Sequence, residues 1–175
     1  NSNSRYLIES LKWAGILVEP HPTFFTLLQD LYSDNSDIQL INSAIYHTSG
    51  EAPFFLYGHD KCAQVSTLSE TFKERVCAAH GDKFIKEPIV VKVQRLAEIL
   101  PQDKQVDFLS IDCEGVDMEV LKSNDWSKNK PTMICVEHSM PKHELDQFMI
   151  NNGYSLYQRT IGNSFFIASG EKHYE

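Results

Sequence analysis

"DFLSIDCEGVDMEVLK", Asp107 to Lys122, is the stretch that decides how this chain is read. Phe108, Leu109 and Ile111 make a short apolar run of the kind found in a buried strand. Val116, Val120 and Leu121 then repeat at helical spacing, which predicts a helix over Glu114–Lys122. Between the two lie Asp112, Cys113, Glu114 and Gly115. Charge at such a junction is expensive unless it is paired or used, so two carboxylates there ask for a reason. Gly115 supplies the freedom for a tight turn.

The same alternation continues on both sides. Ser4–Trp13 has a helical apolar face, and Gly15 is expected to end it. "ILVEP" reads as a strand closing in Glu19, and Pro20 and Pro22 open a helix carrying Phe24, Leu27, Leu28 and Leu31. "IQLINSAIY" reads as one strand, followed by a "HTSGE" turn and an edge strand, "PFFLYG". Residues 58–88 are polar and irregular and read as an insertion, with a helix over Thr67–Ala79 inside it. "IVVKV", a short helix at Leu96–Leu100, "VDFLSI", "TMICVE" and a helix over Lys142–Asn151 closed by Gly153 follow in turn. "YSLYQR" and "SFFIAS", joined by "TIGN", read as an antiparallel hairpin. Strands alternating with helices predict an α/β domain with a mostly parallel sheet and an antiparallel C-terminal hairpin.

The 175 residues are the size of a single domain, 1–175, with 42% hydrophobic and 23% charged residues. Sixteen basic against 24 acidic residues leave a net charge of −8, which argues against a nucleic-acid partner. No apolar run reaches the roughly 18 residues of a membrane span, and none has the form of a signal peptide. Cys62, Cys77, Cys113 and Cys135 contain no CxxC pair, which suits a reducing, cytoplasmic protein.

Three strands end in acid: "ILVE" at Glu19, "FLSID" at Asp112 and "ICVE" at Glu137. Ligands of open α/β sheets bind beyond the carboxyl ends of the strands, so three carboxylates at that rim form a candidate site. Capping of the following helix is the alternative for each one alone. An acid at the position of Glu19 can accept both ribose hydroxyls of an adenosine cofactor. Asp112 and Glu114 could bind a cationic group, hold a metal, or act as a base. His138 could act as a base near neutral pH or be an ordinary loop histidine. His59, Cys62, Cys77 and His80 form H-x2-C-x14-C-x2-H, a spacing that zinc accepts and that chance also produces. No G-x-G-x-x-G, P-loop, G-x-S-x-G or H-E-x-x-H occurs.

"VDFLSIDCEGVDMEVLKSNDW", followed by "MICVEH", resembles the FkbM-type methyltransferases, whose signature runs like DFL-x-ID-x-EG. "KWAGILVEPHP" and "INSAIYHTSGEAPFF" look like further segments of that family, so the resemblance covers most of the chain outside residues 58–88. It implies a Rossmann-like class I fold and S-adenosylmethionine as cofactor. It also implies methyl transfer to a small hydroxylated acceptor such as a sugar or polyketide. By the same resemblance Glu19 binds the cofactor ribose, Ser43 and Ala44 lie near its adenine, and Asp112 sits beside its methionine end. Glu114, Glu137 and His138 then face the acceptor as acid/base groups or contacts, with no metal required. The family's first strand and Gly-rich loop, resembling D-x-GAN-x-G, would precede Asn1. The chain is therefore expected to be part of a longer protein, or to have that place filled by another segment or subunit. The alternatives are a non-catalytic binding or assembly module on a degenerate methyltransferase fold, and a metal-dependent enzyme using Asp112, Glu114 and Glu137.

Overall fold

The computed structural model describes residues 3–57, 65–81, 85–138 and 140–170. Helix α1 spans Arg5–Glu9, shorter than the periodicity predicts. It stops well before Gly15, with Ser10 as its C-cap; beyond it Lys12 takes a left-handed φ of 59°, and its Nζ donates to the Glu9 carbonyl at 2.8 Å. Strand β1 (Gly15–Val18) leads to α2 (Pro22–Tyr32), with Pro22 in the first turn, where a missing N–H leaves no bond unmade. Strand β2 (Ile38–Ile41) pairs parallel with β1 from Gly15↔Ile38 to Val18↔Ile41. Ile8, Tyr32 and Ile38 close a small apolar cluster between them.

The expected single strand "IQLINSAIY" is two. It breaks at Asn42–Ser43, and β3 (Ala44–Ile45) pairs with a different sheet. Asn42 Nδ2 donates to the Glu19 carbonyl at 2.8 Å, so a side chain takes over where the β1–β2 ladder stops. Strand β4 (Gly50–Phe54) and β5 (Ile89–Gln94) pair antiparallel, giving the order β3-β5-β4. Beyond β4, Phe55 and Tyr57 keep only single bridges, to Thr67 and Ile85. Helix α3 (Glu70–His80) falls within the expected insertion, its N-terminus capped by Ser69 Oγ, which accepts the Phe72 N–H at 3.1 Å.

The C-terminal half holds the main core. After α4 (Leu96–Ile99) come β6 (Phe108–Ile111), α5 (Asp117–Lys122), β7 (Met133–Glu137), α6 (Lys142–Asn151), β8 (Tyr154–Arg159) and β9 (Asn163–Ala168). Their order is β6-β7-β9-β8, with β6 and β7 parallel and the β8–β9 hairpin antiparallel, as expected. Ile134 and Val136 of β7 are fully buried in one cluster with Val120 and Leu121 of α5 and Leu145 and Met149 of α6, and Cys135 between them is buried as well. A continuous apolar strand is what a central position covered by helices demands.

The expectation of one mostly parallel sheet needs correction. The described strands form three sheets, in which parallel pairs (β1–β2, β3–β5, β6–β7) are matched by antiparallel ones (β4–β5, β7–β9, β8–β9). The short 160–162 turn forces β8 and β9 to pair antiparallel, whereas β4 and β5 pair antiparallel across the long 55–88 connection that carries α3. Among the described residues no strand joins β1 to β6. The result is an α/β arrangement of mixed sheets with helices. Among the described residues no helix is long and apolar enough to cross a membrane.

Phe166 of β9 is fully buried against β7. Phe166→Ala should lower stability by about 3–5 kcal/mol with an unchanged denaturant slope, read from urea unfolding.

Candidate functional site

The β6–β7 register sets the site. Ile111 pairs with Val136, so the next residues, Asp112 and Glu137, emerge side by side at the carboxyl end of the sheet. The chain after Asp112 does not enter the helix at Glu114, as the spacing predicts, but turns first. Glu114 and Gly115 both take left-handed backbone, at φ 51° and 96°. This turn brings Glu114 back toward the strand ends, and oxygens of Asp112, Glu114 and Glu137 lie within 4.8 Å of one another.

Asp117, fully buried at the start of α5, holds the turn from inside. Its Oδ1 accepts the Cys113 N–H at 2.8 Å and its Oδ2 the Gly115 N–H at 3.3 Å. From outside, Thr67 Oγ1 donates to the Glu114 carbonyl at 2.6 Å. A Cβ at Gly115 would lie 2.8 Å from the Phe72 side chain, so only glycine fits beneath α3. A groove of about 470 Å³ runs along the same turn, lined by Tyr46, Leu68, Phe72, Arg75, Gly115 and Glu119.

Crowding of carboxylates has an electrostatic consequence. Burial, then the charges of Asp112 and Asp117, raise Glu114 to about 7. Burial, the neighbouring Asp112 and Glu114, and a hydrogen bond to Asp112 raise Glu137 to about 8. Among the described residues no basic side chain is among the groups acting on either. Such a cluster can share a proton, take up a hard cation, or receive a positively charged group of a ligand.

The other sequence-derived candidates lie elsewhere. His138 follows Glu137, but its ring faces the hairpin: Nδ1 lies 3.3 Å from the Ile161 carbonyl and Nε2 2.8 Å from Ser164 Oγ. A proton on Nδ1 satisfies both contacts. Ser164 also accepts from Arg159 Nε at 3.2 Å, and Arg159 is paired with Asp146. Glu19, at the end of β1, accepts the His21 N–H at 2.7 Å, and burial raises its carboxyl. Ser43 and Ala44 are buried at the β2–β3 break. Nearby, Ser43 Oγ and His21 Nδ1 are buried without a hydrogen-bond partner among the described residues. His59 and Cys62 of the zinc-type spacing lie outside the described residues, while Cys77 is a free thiol on α3.

Asp117 and Thr67 were not candidates from sequence. Asp117 reads there as one more acid in a helix first turn, and only its burial separates it from Glu119. Thr67 carries no local signal at all, because its partner is 47 residues away.

A model of the methyltransferase FkbM domain matches residues 1–156 of the chain. No curated protein and no solved structure matches it.

Folded Glu114 and Glu137 hold protons to higher pH than the usual carboxylate value of 4.5. Stability should therefore be full below about pH 4.5 and fall as pH rises toward 7–8, where the folded protein also ionises. Glu137→Gln keeps a donor toward Asp112 and should flatten this decline, giving a higher Tm than the parent at pH 8, measured by calorimetry. Gly115→Ala should lower stability by at least about 1–3 kcal/mol, since it combines a strained φ with the clash at Phe72.

Proposed function

Because the chain belongs to the FkbM methyltransferase family, we propose that it is an S-adenosylmethionine-dependent enzyme, on a Rossmann-like frame, methylating a hydroxyl of a small acceptor such as a sugar or polyketide. The observation that carries the reading is the convergence of Asp112, Glu114 and Glu137 at the carboxyl end of β6 and β7, with two of the three poised to exchange protons near neutral pH.

The cofactor's fit is supported by polar groups at the ends of β1 and β2. Glu19 stands where β1 finishes, and Ser43 Oγ and His21 Nδ1, which have no hydrogen-bond partner among the described residues, follow the ends of β2 and β1. A carboxylate there suits two ribose hydroxyls, and buried orphan donors and acceptors are uncommon without a ligand to meet them. Ser43 and Ala44 would border the adenine, and Asp112 the methionine end. S-adenosylmethionine, when bound, supplies an electrophilic methyl group. The chain's own contribution is to hold the acceptor hydroxyl in line and to remove its proton. Glu137, beside Asp112, is the proposed base in its ionised form, whose population grows as pH approaches 8: the hydroxyl proton passes to its carboxylate. Glu114 faces the acceptor from beside Asp112 and Glu137, and His138 steadies the hairpin behind Glu137 through Ile161 and Ser164.

Titration calorimetry of the full-length protein with S-adenosylhomocysteine tests the cofactor. Binding should be lost or weakened at least tenfold in Glu19→Ala. At a ligand concentration 100 times Kd the parent should gain about 2.7 kcal/mol of stability. Absence of both heat and stabilisation would favour the non-catalytic binding module. With an acceptor in hand, Glu137→Gln should reduce turnover by roughly 10²–10⁴ while leaving cofactor affinity unchanged.

A further inference from the structure

Thr67 belongs to the inserted segment, far in sequence from the carboxylates, yet it is tied to them by a short path. It is almost fully buried, and its main chain is fixed on both sides: Phe55 N–H donates to its carbonyl at 2.8 Å and its own N–H to the Phe55 carbonyl at 3.1 Å. Its hydroxyl accepts the Ser69 N–H at 2.8 Å and donates to the Glu114 carbonyl at 2.6 Å. Five residues on, Phe72 covers Gly115 so closely that no side chain fits there. The inserted segment thus grips two consecutive residues, both in left-handed backbone. For Glu114, which has a Cβ, that conformation is unfavourable and persists only where the surroundings impose it.

We propose that Thr67 is a positioning residue of the carboxylate site. Its hydroxyl holds the Glu114 peptide in the conformation that returns the Glu114 side chain to Asp112 and Glu137. Asp117 fixes the N–H side of the same turn, and Thr67 fixes the carbonyl side. The inserted segment therefore sets the geometry of the site as well as covering it. This assignment rests on reading the three carboxylates as the acid/base centre, but the contact itself does not depend on the cofactor.

Thermal unfolding of the parent, Thr67→Val and Thr67→Ser between pH 5 and 9 tests it. Valine matches the shape without the hydroxyl, so Tm should fall at every pH, and the pH-dependent part of the stability should also shrink as Glu114 leaves the cluster. Serine should restore the parental pH dependence. In a Glu114→Gln background the pH-dependent part of the Thr67→Val effect should vanish. A Thr67→Val protein with a uniformly lower Tm and the parental pH dependence would overturn the proposal, leaving Thr67 only a structural role. Should Thr67→Val fail to fold, Thr67→Ala removes the same hydroxyl with less apolar bulk and is read in the same way. Parent protein that binds no S-adenosylhomocysteine but shows the full Thr67 pattern would sink the methyltransferase reading and leave this one standing.

Discussion

The buried carboxylate of Asp117 accepts two backbone N–H groups, from Cys113 and Gly115, and with them it closes the turn between β6 and α5. Without it those donors would be orphaned in a half-buried loop, and the chain would have little reason to stay left-handed at Glu114. Much of the site follows from that closure. The turn returns Glu114 to the strand ends, the β6–β7 register sets Asp112 beside Glu137, and the three acids meet.

The main core makes this arrangement affordable. Fully buried Ile134 and Val136 on one side, and Val120, Leu121, Leu145 and Met149 on the other, fix β7 and α5 as a rigid platform. On that platform the protein tolerates carboxyls that burial, and then the repulsion of their neighbours, raise toward neutral pH. Local rules broken together at one place, with the surrounding packing consistent, are a signature of function rather than of poor folding.

Much of the element order was legible because hydrophobic period and breakers agree locally. Lys142–Asn151, Tyr154–Arg159 and the strand ending at Glu137 match their expected ranges. The readings failed where a side chain or a distant partner overrode the local pattern. Asn42 bonds the Glu19 carbonyl and splits an apparently continuous strand. Helix α1 stops at Glu9, and the left-handed Lys12 keeps the chain from continuing it to the glycine that seemed to mark its end. Glu114, a good helix former at helical spacing, is pulled out of α5 by Asp117 and Thr67.

The sequence by itself determined that Asp112, Glu114 and Glu137 stand at the ends of buried strands or just beyond them, because apolar runs and their acidic termini are local features. It also determined the family, through a linear signature around "DFLSIDCEG". Only the tertiary structure decided that these three acids share one cluster, that His138 is turned toward the hairpin, and that Thr67 reaches Glu114. Those outcomes depend on strand register and on contacts spanning tens of residues, which side-chain periodicity does not encode.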